Sequence, residues 1–372
     1  MSDDHRHMAH ALSLGARGMG SVWPNPAVGC VIVNAGRVVG RGWTGTGGRP
    51  HAEVRALEQA GTRAKGATVY VSLEPCAHHG KTGPCSEALI AAGVARVVTA
   101  VEDSDPRVAG RGHARLRASG IKVTTGVMEA EARAAHHGFF LRLGAGRPAL
   151  TLKLASSFDG RIATATGESQ WITGPAARRL VHAIRARHDA VLVGGGTARA
   201  DDPTLTVRGL GERQQPVRIV ASRHLNLPRQ SRLTESIDQG PVWFVHDGAT
   251  GAISDADRAD WKARGVSLMP ADAGPGGQLD PLSLLETLGG AGLNRVFCEG
   301  GGALAASFLQ AGLVDELLGF TAGLALGAEG RPSLGALGVE ALAEAPRFQL
   351  VDVQRVGEDV LHRWCRAGAA TE

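Results

Sequence analysis

Residues 51–53 are His51-Ala52-Glu53, residues 73–76 are Leu73-Glu74-Pro75-Cys76, and a further cysteine follows at Cys85. The first group opens an amphipathic helical pattern, and the second ends a strand rich in β-branched residues. Strand and helix patterns then alternate up to residue 143. This β-α order predicts an α/β fold with a mainly parallel sheet and helices on its faces.

The ligand-type residues of this stretch predict a metal site. One imidazole and two thiolates, from His51, Cys76 and Cys85, are a ligand set of catalytic zinc, which keeps its fourth position open for water. The cysteines are predicted after a strand and before a helix, where the positive helix N-terminus favours thiolates. Glu53, two residues from a ligand, is predicted to carry a proton from water to a leaving amine. The pattern is typical of zinc deaminases.

The spacing of the cysteines departs from the usual deaminase pattern. Eight residues, not two, separate Cys76 from Cys85. The longer loop carries His78, His79 and Lys81, which suit contact with a phosphate or a pyrimidine. A second interpretation stays open, because either histidine would also serve as the fourth ligand of a purely structural zinc site.

Length and composition predict two globular domains. The 372 residues are 43% hydrophobic and 20% charged, and domains average about 150 residues. The Gly/Pro-containing segment 144–148 is the predicted linker, which gives domains 1–146 and 147–372. With 15 aromatic residues (Phe, Trp and Tyr) in all, the cores are predicted to consist mainly of Val, Leu, Ile and Ala.

Charge and hydropathy exclude several functional classes. The net charge of +4 is scattered, and without a run of like charges a nucleic-acid-binding tail is not expected. No apolar stretch approaches the length of a membrane span, and the acidic start lacks the apolar core of a signal peptide. The sequence therefore predicts a cytoplasmic protein with no membrane or nucleic-acid partner.

Two glycine-rich turns mark the second domain. Residues 194–196 and 300–302 are each Gly-Gly-Gly after a predicted strand. Such turns let a phosphate approach the backbone at a helix N-terminus, which favours a phosphate or nucleotide ligand. The dinucleotide-binding fingerprint G-x-G-x-x-G is absent. The glycines could equally serve only as caps and packing positions.

Several longer motifs of the sequence resemble those of a known enzyme family. Residues 24–29, 51–53, 73–82, 103 and 108–112 resemble the bifunctional riboflavin-biosynthesis deaminase/reductase family, and segments 153–160, 167–173, 194–206 and 299–302 resemble its reductase half. The resemblance implies a cytidine-deaminase-like αβα domain followed by a dihydrofolate-reductase-like α/β domain. It implies zinc-dependent deamination of a phosphoribosylamino-diaminopyrimidinone, then NADPH-dependent reduction of the ribosyl group of the resulting uracil to ribityl.

The resemblance also implies binding residues by matching position. Those implied to bind substrate are Asn25, His78, Lys81, Ser169, Arg185, Leu205, Arg208 and Glu299. Those implied to bind NADPH are Ala155, Trp171, Thr197, Asp201, Ser222, Gly301, Gly302, Ala303, Leu304, Ala305, Ala306 and Ser307. Lys153 and Glu299 are proton-handling or orienting groups, and the sequence does not decide between these roles.

Some positions depart from the family pattern. Thr44 stands where a histidine is frequent, Asp105 where asparagine is usual, and Gly83 where proline is common. Loss of the histidine puts part of the implied phosphate site in doubt, although it leaves Glu53 and the metal ligands untouched.

Three functional hypotheses follow from the sequence. The first is a homo-oligomeric bifunctional enzyme acting on a small phosphorylated pyrimidine, and the second is a nucleoside or nucleic-acid deaminase with a non-catalytic second domain. A third possibility is that one domain is degenerate. The second predicts a basic groove with interleaved aromatic residues, for which the sequence has no cluster. The intact ligand and glycine motifs speak against the third.

Overall fold

The computed structural model describes residues 2–78, 83–249 and 251–366. The chain divides into two compact units, Met1–Gly146 and Arg147–Glu372. Both are α/β, which confirms the predicted fold class. No helix among the described residues is long and apolar enough to cross a bilayer.

The first unit is built on a five-stranded sheet with the order β2-β1-β3-β4-β5. Strand β1 pairs antiparallel with β2 and β3, and β3, β4 and β5 are parallel. The elements are α1 (Asp3–Gly15), β1 (Gly29–Asn34), β2 (Arg37–Trp43), α2 (Ala52–Ala60), β3 (Thr68–Val71), α3 (Cys85–Ala91), β4 (Arg96–Thr99), α4 (Arg111–Ala118), β5 (Lys122–Thr124) and α5 (Glu129–Ala145).

Two glycines let helices approach this sheet closely. A Cβ atom at Gly29 would lie 1.9 Å from the carbonyl oxygen of Ala11 in α1, and one at Gly42 would lie 2.0 Å from that of Ala52 in α2. Any side chain there would push a helix off the sheet. Gly42 therefore sets the position of the start of α2, which follows His51.

The second unit contains a nine-stranded sheet within its described residues, in the order β11-β10-β9-β8-β12-β6-β13-β16-β15, and a short β14-β7 pair. The elements are β6 (Ala149–Ser157), β7 (Arg161–Ala163), α6 (Pro175–Arg185), β8 (Ala190–Gly194), α7 (Gly195–Asp201), β9 (Val217–Ala221), α8 (Arg232–Glu235), β10 (Val242–Asp247), α9 (Asp255–Ala263), β11 (Ser267–Ala271), α10 (Pro281–Gly290), β12 (Arg295–Cys298), α11 (Gly302–Gln310), β13 (Glu316–Ala322), β14 (Arg331–Pro332), β15 (Phe348–Val356) and β16 (Asp359–Arg366).

The strands from β11 to β13 are parallel, and the hairpin β15–β16 adds two antiparallel strands at one edge. In register, Cys298 of β12 lies beside Leu152 of β6 and Leu192 of β8. Lys153, Glu299 and Gly194, which soon follow these residues, therefore lie towards the same edge of the sheet. Ligands of open α/β sheets bind beyond this carboxyl edge.

The cores consist largely of aliphatic residues, as predicted, and Cys30 and Cys298 are fully buried among them. For the histidines outside the motif, His7 and His136 among them, the sequence favours solvated helix faces over metal binding. Both are instead buried, His136 at 2% and His7 at 6% exposure. The Nε2 atom of His136 lies 3.3 Å from the Ser72 hydroxyl.

Candidate functional site

The three predicted metal ligands meet where one strand end and two helix starts converge. His51 is the N-cap of α2, Cys76 follows β3, and Cys85 is the first residue of α3. The Nδ1 atom of His51 lies 3.3 Å from the sulfur of Cys85 and 3.6 Å from that of Cys76. All three donor atoms lie within 4.8 Å of one another. A nitrogen and two sulfurs so grouped fit a zinc ion.

Local hydrogen bonds hold the two cysteines in place. The backbone N–H of Cys85 donates to the sulfur of Cys76 over 3.2 Å, and the Ser86 N–H and hydroxyl both donate to the Cys76 carbonyl. Hydrogen bonds from the Cys85 thiol and from His51 lower the pKa of Cys76 to about 4. Cys76 is therefore a thiolate at neutral pH, which is the form that binds metals.

Glu53 lies in the first turn of α2 and is 3% exposed. Burial, together with the nearby Cys76 thiolate, raises its pKa to about 7. A carboxyl group with a pKa near the working pH can both accept and donate a proton. The side chain is also coupled electrostatically to His51, so it lies close to the ligand group.

Glu74, which precedes Pro75-Cys76, fixes the backbone before the Cys76 ligand through hydrogen bonds. Its buried carboxylate accepts backbone N–H bonds from Asp103, Gly110 and His113 over 3.3, 2.9 and 3.1 Å. A Cβ atom at Gly112 would lie 2.0 Å from the Pro75 carbonyl oxygen. The start of α4 is thus packed directly on the peptide before Cys76. Glu74 is within 4.8 Å of donor atoms of Glu102 and His113, but its oxygens are already engaged.

The substrate residues implied for the first unit have distinct surroundings. The Asn25 amide donates to the Gly48 carbonyl over 2.9 Å. The buried Nδ1 atom of His78 has no hydrogen-bond partner among the described residues. Lys81 and His79 lie outside those residues.

The departures Thr44 and Asp105 now have a structural explanation. The Thr44 hydroxyl donates to the Pro26 carbonyl and accepts the Val28 N–H, both over 3.0 Å. The Asp105 carboxylate binds the Arg107 guanidinium, which lowers the pKa of Asp105. Arg107 therefore neutralises the charge of Asp105, and the Thr44 hydroxyl holds the backbone of residues 26 and 28 in place.

A second group of charged residues lies in the second unit. Arg185 donates to both carboxylate oxygens of Glu299, over 2.5 and 3.0 Å, and its third contact is the Thr206 carbonyl at 2.8 Å. Burial opposes ionisation of Glu299, but Arg185 and Lys153 together lower its pKa. Lys153 is itself buried, which lowers its pKa. The structure thus brings Lys153, Arg185 and Glu299 together.

Glycine turns adjoin this group. The Gly301 N–H donates to the Thr197 hydroxyl over 3.0 Å. A Cβ atom at Gly300 would lie 2.6 Å from the Gly194 nitrogen, so the two turns touch. A Cβ atom at Gly196 would face open space. These turns start helices α7 and α11, which is the geometry that suits a phosphate-bearing ligand.

The other implied residues of the second unit differ in exposure. Ser222 is buried, whereas Asp201 is largely exposed. Partial desolvation of the Asp201 carboxyl group raises its pKa. Arg208 is exposed, with its N–H bonded to Nδ1 of His182 over 3.2 Å. Leu205 is 2% exposed, with a φ of 55°.

The remaining positions include two that face inward. Ala305 and Ala306 are buried within the packing of α11, whereas the side chain of Trp171 is 66% exposed and lies under the Arg178 guanidinium at 4.6 Å. Half-buried positions are Ala155, Ser169, Gly302, Leu304 and Ser307, and Ala303 is exposed.

Sequence reasoning missed Arg49. Its guanidinium lies 3.1 Å from Nε2 of His51, the ring nitrogen that faces away from the cysteines. An arginine two residues before a ligand carries no recognisable signal. The contact between Arg49 and the imidazole of His51 depends on the turn of the backbone between the two residues.

Two family models match the chain in succession. Residues 1–101 match the cytidine and deoxycytidylate deaminase zinc-binding region, and residues 148–362 match the RibD C-terminal domain. This pairing supports a bifunctional enzyme and speaks against a deaminase with a non-catalytic second domain.

Relatives that match nearly the whole chain support the same pairing of domains. The riboflavin biosynthesis protein RibD of Escherichia coli K12 is 44% identical, with 96% of this chain and 98% of that protein covered. RibD of Aquifex aeolicus is 38% identical, with 96% and 97% covered.

Solved structures match over nearly the whole chain as well. Acinetobacter baumannii RibD is 39% identical with a TM-score of 0.85, and a Thermotoga maritima diaminohydroxyphosphoribosylaminopyrimidine deaminase/5-amino-6-(5-phosphoribosylamino)uracil reductase is 32% identical with the same score. Each alignment covers 98% of this chain and 99% of the other. The chain therefore belongs to the RibD family of bifunctional riboflavin biosynthesis enzymes, which combine a deaminase with a reductase.

Proposed function

We propose that the first unit hydrolyses the exocyclic amine of 2,5-diamino-6-(5-phosphoribosylamino)pyrimidin-4-one, and that the second reduces the product with NADPH. The Thermotoga maritima relative is named for this pair of activities. The observation that carries the proposal is the convergence of His51, Cys76 and Cys85 within 4.8 Å, beside the buried Glu53.

His51, Cys76 and Cys85 would hold one zinc ion. A zinc ion bound there supplies Lewis acidity, which lowers the pKa of water to about 7. Glu53 accepts a proton from the attacking water and returns it to the departing amine, which leaves as ammonia. Glu53 is buried beside the proposed ligands, and a carboxyl group so placed can both accept and return the proton.

Asn25, His78 and Lys81 are proposed to bind the substrate of this step. The buried Nδ1 atom of His78, which lacks a partner among the described residues, is available to a polar group of the pyrimidine or its phosphate. Asn25 retains amide capacity beyond its bond to Gly48, because a primary amide offers two donors and an acceptor.

The second unit is proposed to bind NADPH, which when bound would supply a hydride to the sugar carbon attached to the amine. The carbon–oxygen bond of the ring would break, the released oxygen would take a proton from solvent, and the ribose would become ribityl. The glycine turns and the start of α11 are the proposed cradle, since a Cβ atom at Gly301 would lie 3.0 Å from the Thr197 hydroxyl. Proposed cofactor residues are Ala155, Trp171, Thr197, Asp201, Ser222 and residues 301–307. Of these, Ala305 and Ala306 could act only by packing behind the cradle.

Substrate for reduction is proposed to contact Ser169, Arg185, Leu205, Arg208 and Glu299. Arg208 is the exposed cation of this set, so it is the proposed partner of the substrate phosphate. Arg185 is already engaged with Glu299. Its proposed role is to hold that carboxylate ionised and oriented towards the ribose hydroxyl groups.

A homo-oligomer is proposed from the edge of the large sheet. Leu350, Val351 and Val353 of edge strand β15 are each more than 50% exposed, and an apolar edge strand readily pairs with another chain. The cytoplasmic location remains a prediction.

Mass spectrometry of the products tests the proposed activities. Zinc-loaded protein is incubated with the diaminopyrimidinone substrate, with and without NADPH. We expect replacement of the amine by oxygen in both reactions, and the addition of two hydrogens only with NADPH. Unchanged substrate in both reactions, with zinc bound, would refute the proposal, and deamination alone would refute its second half.

A further inference from the structure

A cleft of about 530 Å³ lies in the first unit, and its lining differs from the residues assigned to catalysis. It is formed by α1, the edge strand β2 and α2. Its lining residues are His10, Leu14, Arg17, Arg41, Trp43, Arg55, Glu58 and Gln59. None of these is a metal ligand or an implied substrate residue.

Three guanidinium groups face this cleft. Arg17 and Arg55 lie over the Trp43 ring, with their Cζ atoms 5.1 and 4.3 Å from its centroid. Arg55 also donates to the Trp43 carbonyl over 3.3 Å. Cation–π contacts hold these two guanidinium groups in place and reduce the conformational entropy that ligand binding would cost.

The positive charges are poorly compensated. Within residues 2–78, 83–249 and 251–366, Arg17, Arg41 and Arg55 form no ion pair with a carboxylate. The lining contains one acid, Glu58, against three arginines, a formal charge of 3 − 1 = +2. By contrast, Arg96 is paired with Asp4 and Arg185 with Glu299.

Like charges gathered at one place repel one another, and an anion relieves that repulsion. Guanidinium groups also match the geometry of phosphate oxygens and bind them in a bidentate manner. We infer that this cleft binds a small phosphorylated molecule, with Arg17, Arg41 and Arg55 contacting its phosphate groups. The site lies beyond the proposed function, because neither proposed reaction uses it.

The size of the cleft narrows the ligand class. The cleft is open to solvent and, at about 530 Å³, has room for more than a single phosphate ion. Two guanidinium groups already lie over the Trp43 ring, and the ring is therefore a support for the cations. A polyphosphate or a nucleotide bound through its phosphates fits these features.

Calorimetric titration with inorganic pyrophosphate tests the site on the full-length, zinc-loaded protein. The variant Arg17→Gln/Arg41→Gln removes two charges from the cleft, and Arg37→Gln/Arg117→Gln removes two exposed charges elsewhere in the same unit. Pyrophosphate also binds elsewhere in the protein, but that binding is the same in the wild type, the cleft variant and the control variant. Any difference in affinity therefore comes from the substituted arginines. We expect the cleft variant to lose at least about tenfold in affinity for one site, equivalent to about 1.4 kcal/mol.

The control variant should stay within about twofold of the wild type. Equal binding by all three proteins, or equal weakening in both variants, would overturn the inference. Arg41→Glu provides a second cleft variant that keeps Arg17 over Trp43, and it should weaken binding further than Arg41→Gln. Thermal unfolding of each variant shows whether its fold is retained.

Two further measurements identify the source of the phosphate. Tighter binding of ATP than of pyrophosphate would support a nucleotide ligand, and equal binding would support recognition of phosphate groups alone. If the ligand is the substrate of the same enzyme, the cleft variant should raise the KM of deamination with kcat unchanged. If the ligand of the cleft is a different metabolite, the KM of deamination measured without that metabolite should be the same in the cleft variant and the wild type.

Discussion

The site of the first unit gathers three metal-ligating side chains around one buried carboxyl group, whereas that of the second joins ions of opposite charge. Cys76 and Glu53 raise each other's cost of ionisation, so the first site favours a bound cation. Arg185 and Glu299 neutralise each other. The first site therefore has the donor set and charge to accept a cation, whereas the charged side chains of the second are already paired with each other.

The largest expected effect comes from Glu53→Gln. Glutamine keeps the size of the side chain but cannot carry the proton, so deamination should fall by about 10²–10⁴-fold. Zinc content and reduction of the deaminated substrate should remain at wild-type levels. Ammonia release, metal analysis and NADPH consumption measure the three properties. Near-normal deamination by this variant would remove Glu53 from proton transfer.

Arg185→Met sharpens the contrast between the sites. It leaves Glu299 buried without its guanidinium partner, which typically costs about 3–5 kcal/mol of folding free energy. We expect a lower unfolding temperature of the second unit and loss of reduction, while deamination persists. Calorimetry and the two activity assays measure this. The control Arg179→Met removes an exposed arginine from the same helix and should change neither property.

The contrast also shows which features a sequence can reveal. Metal ligands require particular residue types at the ends of predictable strands and helices, and the convergence of His51, Cys76 and Cys85 follows from their positions around the β3–α3 connection. The hydrogen bonding of Glu74 was not predicted, because its partners are backbone N–H groups 29–39 residues away. Backbone donors carry no residue-type signal.

The second unit was harder to predict for the same physical reason. Strands β6, β8, β9, β10 and β12 follow from apolar runs, whereas the short β7 and the largely exposed β11 were not predicted. Strand β15 is exposed on nearly every residue and has no alternation of buried and exposed positions. The bond between Arg185 and Glu299 spans 114 residues, and sheet order alone brings its partners together. Helices α8, α9 and α10 were also missed by the sequence analysis.

Acid stability provides a comparison between the two units themselves. Each contains a buried histidine, His136 or His188, whose pKa burial lowers to about 4. An unfolded histidine titrates near 6.5, so between these values the unfolded chain binds more protons. Stability is complete above pH 6.5 and should fall as the pH decreases towards 4, by up to roughly 3 kcal/mol per histidine.

Variants separate the two contributions. His136→Phe keeps a ring of similar size and should flatten the pH dependence of unfolding in the first unit. His5→Asn, at an exposed position, should leave that dependence unchanged. Denaturant unfolding between pH 4 and 7 measures both. An unchanged slope in His136→Phe would mean that His136 is not held neutral in the folded protein.

Arg208→Ala is expected to have the smallest effect and tests the division of labour most directly. Arg208 is exposed and its guanidinium group has no role in packing, so folding should be unchanged. Loss of a charge-assisted bond to phosphate costs about 1.5–3 kcal/mol, which predicts a KM for reduction at least about tenfold higher. Arg213→Ala, in the same exposed loop region, is the matched control. Deamination kinetics should be identical in all three proteins, because Arg208 belongs to the other unit. An equal loss of both activities would instead mean that one phosphate-binding group serves both reactions.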